Sequence, residues 1–233
     1  MKKLIISILT VCLCLTSVFV LTSCEEEQKG SRVDTATVTE PDVVDDDGFG
    51  YIIVDSKTVM LTQYTGSAED VSVPSEYEGM PVTEIGEGAF RSTKVTSVTV
   101  PNSVTSIGVR AFSNCQKLTS VILPDGIKTI EQNAFDYCSN LKTIKLPNTL
   151  ETIGMYCFTV SGLESIEIPE SVTYIDHYAF YQCLNLETAI VPATVKEFGQ
   201  NVFSGNDKLT ITGPSGSAIE DYAKEYELNF TAE

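Results

Sequence analysis

Tryptophan is absent from this 233-residue chain, and histidine occurs once, at position 177. Chemistry that depends on clustered imidazoles is thereby excluded. Basic residues are scarce: 15 Lys and Arg stand against 32 Asp and Glu, for a formal charge of −17. Nucleic-acid binding rests on Lys and Arg at phosphates, so no nucleic-acid partner is expected. Cysteine occurs seven times, yet no CxxC pair is present and zinc-ligand spacing is missing. HExxH, GxSxG and glycine-rich phosphate loops are missing too. Carboxylates are plentiful but fall at variable positions, not as the fixed pair that acid–base catalysis requires. No catalytic residue, cofactor or metal site is expected, and His177 beside Asp176 reads as a solvated loop histidine.

What the chain does have is a repeat. Phe90, Phe112, Phe135, Phe158, Phe180 and Phe203 recur at steps of 22, 23, 23, 22 and 23 residues. Pro101, Pro124, Pro147, Pro169 and Pro192 keep the same time, each 11 residues before the next phenylalanine. A period in the low twenties marks a solenoid, whose units bury their apolar faces against their neighbours. Before each proline lies a short alternating run: Val98/Val100, Val121/Leu123, Ile144/Leu146, Ile166/Ile168 and Ala189/Val191. These runs predict β-strands that the proline, lacking an N–H, brings to an end. A second apolar pair follows at Val104/Ile107, Ile127/Ile130, Leu150/Ile153, Val172/Ile175 and Val195/Phe198. The residues before each phenylalanine, such as Gly108-Val109-Arg110-Ala111, suit one helical turn. Gly86, Gly108, Gly154 and Gly199 follow the second apolar pair, where positive φ would be cheap; Glu131 and Asp176 hold the same place in two coils, so it is not obligatory there. The fold class is therefore a β-rich solenoid of about six repeats, roughly 30 Å long at the usual strand spacing. The phenylalanine column is its core.

Both ends show caps. Tyr51–Val54 and Val59–Tyr64 predict a β-hairpin around Asp55-Ser56-Lys57. A five-residue insertion around Tyr77-Glu78-Gly79-Met80-Pro81 marks the first, atypical unit. At the other end Ser217 and Glu220 have capping-box spacing. Ile219, Tyr222, Ala223 and Tyr226 then fall at helical spacing, and Leu228 to Phe230 suit a last short strand. The folded body is expected over residues 49–233.

Residues 1–23 carry Lys2 and Lys3, then an apolar run from Leu4 to Val20, the pattern of a secretory signal. Leu21-Thr22-Ser23-Cys24 resembles the bacterial lipobox, which implies a lipidated Cys24 as the mature N-terminus. The competing reading, an uncleaved span over Leu4–Thr22, is opposed by the Ser and Thr content and by the lipobox. Residues 24–48, acidic and poor in large apolar groups, read as a disordered tether. Without residues 1–23 the chain holds 13 basic and 32 acidic residues, a balance of −19. Such a charge opposes docking on anionic headgroups, so the membrane is met through the acyl anchor only. Of the remaining cysteines, Cys115, Cys138 and Cys183 each lie three residues after a core phenylalanine, and Cys157 precedes Phe158. A Cys115–Cys138 disulfide is conceivable, but equivalent Cβ atoms about 4.8 Å apart exceed the preferred ~3.8 Å. Buried free thiols are expected.

The units SVTSIGVRAFSNCQKLTSVILP and SVTYIDHYAFYQCLNLETAIVP resemble the BspA-like leucine-rich repeats of bacterial cell-surface proteins, as do the segments YEGMPVTEIGEGAF and GSAIEDYAKEYELNF. The resemblance covers roughly residues 51–233. It implies a leucine-rich-repeat-like right-handed coil, export or anchoring, and in some members adhesion to host matrix proteins or neighbouring bacteria. It transfers no catalytic residue. The candidate ligand face is the outward column of the first strand ladder, Thr99, Ile122, Lys145, Glu167 and Ile190. A neighbouring outward column is Thr96, Thr119, Lys142, Glu164 and Glu187. A second candidate is the aromatic cluster Tyr156, Tyr178 and Tyr181, suited to stacking on a sugar or anchoring a protein. The expected function is recognition of a protein or glycan at the cell surface. The alternative is a lipid-anchored scaffold that holds another protein within the envelope.

Overall fold

A computed structural model describes residues 41–233. The expected signal segment, Cys24 and most of the expected tether lie outside the described residues. The N-terminal cap begins earlier than residue 49. β1 (Val43–Val44) pairs antiparallel with β2 (Phe49–Ile53), which pairs antiparallel with β3 (Val59–Tyr64). The expected hairpin is present, and its turn is closed by Asp55, whose carboxylate accepts from the Lys57 and Thr58 amides.

β4 (Asp70–Ser72) opens the first ladder. The insertion then forms a tight hairpin of β5 (Glu76–Tyr77) and β6 (Met80–Ile85). Its two central residues, Glu78 and Gly79, have φ of 50° and 78°, as a two-residue type I′ turn demands. The repeats follow: β7 (Ser97–Thr99) and β8 (Ser106–Ile107), then β9 (Ser120–Ile122) and β10 (Thr129–Ile130). The next coil supplies β11 (Thr152–Ile153) alone. After it come β12 (Ser165–Glu167) and β13 (Tyr174–Ile175), and then β14 (Thr188–Ile190) and β15 (Glu197–Phe198). β16 (Thr210–Gly213), α1 (Ala218–Glu225) and β17 (Asn229–Ala232) complete the chain.

Two parallel ladders run along the solenoid. The second ladder is continuous, in the order β3-β6-β8-β10-β11-β13-β15. Its register places Ile107, Ile130, Ile153, Ile175 and Phe198 in one inward column. The first ladder is split into β4-β7-β9 and β12-β14-β16-β17. Between them lies the Ile144/Leu146 rung, expected to be a strand and found without ladder pairing. Counting that rung, the first ladder has eight levels, two more than the six phenylalanine repeats.

The third side of each coil corrects the expected helical turn. It is a succession of β-turns: the amides of Ala111, Ser113 and Cys115 donate to the carbonyls of Gly108, Arg110 and Phe112. The alternate amides, Arg110, Phe112 and Asn114, donate to Gln132, Ala134 and Asp136 of the next coil. The same pattern recurs from Asn133 to Tyr137, Tyr156 to Val160 and Tyr178 to Gln182. This alternation requires left-handed backbone two residues before and two after each phenylalanine. There φ is 55° at Arg110 and 58° at Asn114, 56° at Tyr156 and 55° at Val160, 59° at Tyr178 and 52° at Gln182. Gly86, Gly108, Gly154 and Gly199 do not use positive φ. Gly154 and Gly199 are sites of close approach instead: a Cβ there would lie 2.7 Å from the Glu131 carbonyl carbon and 2.2 Å from the His177 nitrogen.

The six phenylalanines are all fully buried. Their rings stack at centroid distances of 5.0, 5.0, 5.4, 5.3 and 5.2 Å, within 7° of parallel. Tyrosines close the column at each end: Tyr64 lies 5.4 Å from Phe90, and Tyr222 lies 6.4 Å from Phe203 at 74°. The Tyr222 hydroxyl accepts from the Val202 amide at 2.8 Å, so α1 answers a donor that would otherwise face a missing coil. Ile219, Tyr222 and Ala223 are buried as their spacing predicted. The capping box is not formed. The Ser217 hydroxyl donates to the Pro214 carbonyl, and the Glu220 carboxylate accepts from Gly216, one residue before its expected partner.

Candidate functional site

The outward column of the first ladder is where the alternation places it. Thr99, Ile122, Lys145, Glu167 and Ile190 are all exposed, with Ile122 at 60% and Ile190 at 41%. Register sets Thr99 beside Ile122, and Ile190 between Glu167 and Thr212. Lys145 is not held by ladder bonds to either group, so the column is two short strips flanking an unpaired rung.

That rung has its own geometry. Elsewhere on this ladder the bonds continue past the strand ends, as from Val100 to Ile122 and from Ile168 to Ile190. The corresponding bonds from Leu123 to Lys145 and from Leu146 to Glu167 are not made. Thr143, Ile144, Lys145 and Leu146 form no hydrogen bond with any other described residue. Ile144 and Leu146 still point into the core, at 8% and 3% exposure. Beside the rung lies a cleft of about 340 Å³ whose wall includes Thr143, Lys145, Asn148, Ser165, Glu167 and Pro169. A second hollow of about 370 Å³ shares Asn148, Glu167 and Pro169 and adds Glu170 and Glu233. The Lys142–Glu164 ion pair, at 2.8 Å, and the Glu164 amide on the Lys142 carbonyl close one end.

The break coincides with a change in loop length. Ser139 and Asn140 separate Cys138 from Leu141, whereas Gly162 alone separates Ser161 from Leu163. Nowhere else in the repeats does the longer loop precede the shorter one. Sequence reasoning missed the cleft, although this step was its visible signal.

The tyrosines occupy a different side of the coil. Tyr156 and Tyr178 stack at 4.9 Å and 9°, and Tyr181 meets Tyr178 edge-on at 5.6 Å. Tyr156 and Tyr178 each cover one face of the other, and the Tyr178 hydroxyl accepts from the Asn201 amide. Each ring keeps its other face, and both residues are half-buried. The pair fastens two turns whose backbone is left-handed. The ladder column and the tyrosine cluster do not join into one site.

Nearby, Asp176 accepts at one oxygen from the Tyr174 hydroxyl at 2.8 Å and faces the His177 ring nitrogen Nδ1 at 2.6 Å. Burial pushes the Asp176 carboxyl up, but hydrogen bonds from His177 and Tyr174 outweigh it and hold the group below its ordinary value. Partial burial and the Asp176 carboxylate raise Tyr174 to about 12.

The four cysteines among the described residues are free and buried. Cys115, Cys138 and Cys183 donate to the carbonyls of Phe90, Phe112 and Phe158, one coil back, at 2.9, 3.1 and 3.0 Å. Asn206 does the same for Phe180. Burial pushes Cys183 up to about 11 and Cys138 and Cys157 well above the usual thiol range. Among the described residues no group of three or more His, Cys, Asp or Glu is placed to hold a metal. No described helix is long and apolar enough to cross a membrane.

Stacked 22- and 23-residue coils with two parallel ladders, a phenylalanine spine and folded caps define a leucine-rich-repeat solenoid, a non-enzymatic type of repeat scaffold. Six copies of the BspA type leucine-rich repeat region match residues 83–210, and the chain belongs to that family. A leucine-rich repeat protein from Bacteroides ovatus is 34% identical with a TM-score of 0.66; the match covers 73% of this chain and 47% of that one. The chain thus spans about half the length of that relative. The T. pallidum leucine-rich repeat protein is 29% identical with a TM-score of 0.67, over 82% of this chain and 99% of that one. A leucine-rich cell surface protein from Faecalibacterium prausnitzii is 28% identical with a TM-score of 0.57, over 75% and 55%. Among curated proteins none matches this chain.

Proposed function

We propose that the protein is a lipid-anchored, surface-exposed binding module that recognises a protein or glycan through the outward column of its first ladder. The observation that carries this reading is the exposure of Ile122 and Ile190 on paired strands, with nothing among the described residues to cover them. Ladder pairing holds such side chains rigidly, so little entropy is lost when a partner covers them. The lipobox at Leu21–Cys24 supports anchoring, and the similarity to a protein described as a cell surface protein supports exposure. The role is binding and not catalysis.

The test is adhesion of cells carrying the native protein or Ile122→Glu with Ile190→Glu to immobilised matrix proteins, neighbouring bacteria and glycans. Both sites are solvent-facing, so the melting temperature should hold while adhesion falls at least tenfold. Undiminished adhesion by the double variant would move the site off this column.

A further inference from the structure

The unpaired rung is a break in a molecule that is otherwise hydrogen-bonded along its length on all three sides. Four consecutive residues, Thr143 to Leu146, leave eight backbone donors and acceptors without partners among the described residues. Thr143 and Lys145 are exposed, Ile144 and Leu146 are buried, and all four line the cleft, so their unpaired backbone groups are open to a ligand. Ladder bonds run along the axis of a solenoid, so these groups face the gaps on either side of the rung. On the far side of one gap is the free edge of β12, paired only with β14. The second ladder stays closed at the same level, with Thr152 opposite both Thr129 and Tyr174. The coils are therefore pinned on one side and apart on the other, with the 340 Å³ cleft between.

We propose that this cleft is a docking site for an extended, Lys- and Arg-rich peptide segment of a partner protein. An extended backbone is the chemistry that answers a row of alternating donors and acceptors, as in strand addition to a sheet edge. Charge selects the class of side chain. Along the continuous wall of the two hollows stand Glu167, Glu170 and Glu233, against Lys145 as the one basic residue. A basic segment lays its backbone along Thr143–Leu146 and its alternate side chains toward those carboxylates. Ile144 and Leu146 stay in the core, so docking requires no unfolding of the coil. The inference rests on the binding-module reading and gives the partner its chemistry.

The probe is a fluorescein-labelled octapeptide of alternating lysine and threonine, with a glutamate–threonine octapeptide as control, added to the full chain in detergent. Anisotropy should show saturable binding of the basic peptide alone, weakened by salt. Hydrogen–deuterium exchange should show the amides of residues 143–146 exchanging quickly in the free protein and slowing at least tenfold with peptide. Glu167→Lys with Glu170→Lys should weaken binding at least tenfold. Thr143→Cys with Ser165→Cys, crosslinked across the cleft, should abolish binding until reductant is added. No binding, binding without protection of 143–146, or binding indifferent to the crosslink would overturn the proposal. Cells that adhere while their protein ignores the peptide would sink the cleft alone. Peptide binding by a protein that is not surface-exposed would sink the surface reading alone.

Discussion

Phe112, Phe135, Phe158 and Phe180 each pack between two other phenylalanines at about one strand spacing, and no solvent reaches any ring of the spine. Truncating one removes a ring that both neighbours use. Phe135→Ala should cost about 3–5 kcal/mol in denaturant unfolding; a loss below about 1 kcal/mol would contradict the stacked column. The left-handed positions carry the opposite expectation. Val160 is β-branched at φ 55°, a conformation that such residues rarely adopt. Val160→Asn should stabilise the protein by about 1 kcal/mol, read as a rise in melting temperature. The thiols are a third case. In a variant lacking residues 1–24, the four buried cysteines should ignore a disulfide reagent at pH 8 and react only on unfolding. Prompt labelling of any one would mean that its coil opens. The phenylalanine and cysteine columns were legible because a buried position repeats its chemistry. The left-handed columns were not, because Arg110, Asn133, Tyr156 and Tyr178 share a backbone conformation and no side-chain property.

Among elements, α1 does more than cover the last coil. Its Tyr222 hydroxyl is the acceptor for the Val202 amide, beneath the end of the spine. Tyr222→Phe keeps the ring against Phe198 and Phe203 and leaves that amide unpaired, at a cost of about 1–3 kcal/mol. Equal stability of the variant would show that water reaches the amide. The helix was legible from the spacing of Ile219, Tyr222 and Ala223. Its cap was not, since Ser217 and Glu220 both have nearer backbone groups, Pro214 and Gly216, to bond. The hairpin caps were legible from their alternation. The first ladder was legible except at Ile144/Leu146, where the side chains keep the inward pattern and the backbone does not keep the bonds. A pattern of inward residues reports burial, and pairing also depends on the loops that set each coil's rise.

At the scale of the whole molecule, tyrosines give the solenoid an alkaline limit. Tyr174 is raised from 10.0 to about 12, and burial raises Tyr51 and Tyr222 in the same direction. A group whose pKa is raised on folding contributes stability that is fully present below its unfolded value and lost as pH rises through its folded value. The melting temperature should therefore fall from about pH 10 upward, with most of the Tyr174 share gone by pH 12; a Tyr174→Phe chain should lose less over that interval. Fold and family were legible in the sequence because a repeat states the same packing problem many times. The candidate site was legible only as an outward column, because solvent-facing residues vary from coil to coil whether or not they bind.

The central claim is that this body stands outside the cell on a lipid anchor. Protease treatment of intact cells that make the native protein tests it most directly, with Cys24→Ala as the control. The account predicts rapid release or loss of the 43–233 body from intact cells, and no cell-associated body to release in the Cys24→Ala control. Full protection in intact cells, with cleavage only after lysis, would contradict it and place the solenoid inside the envelope.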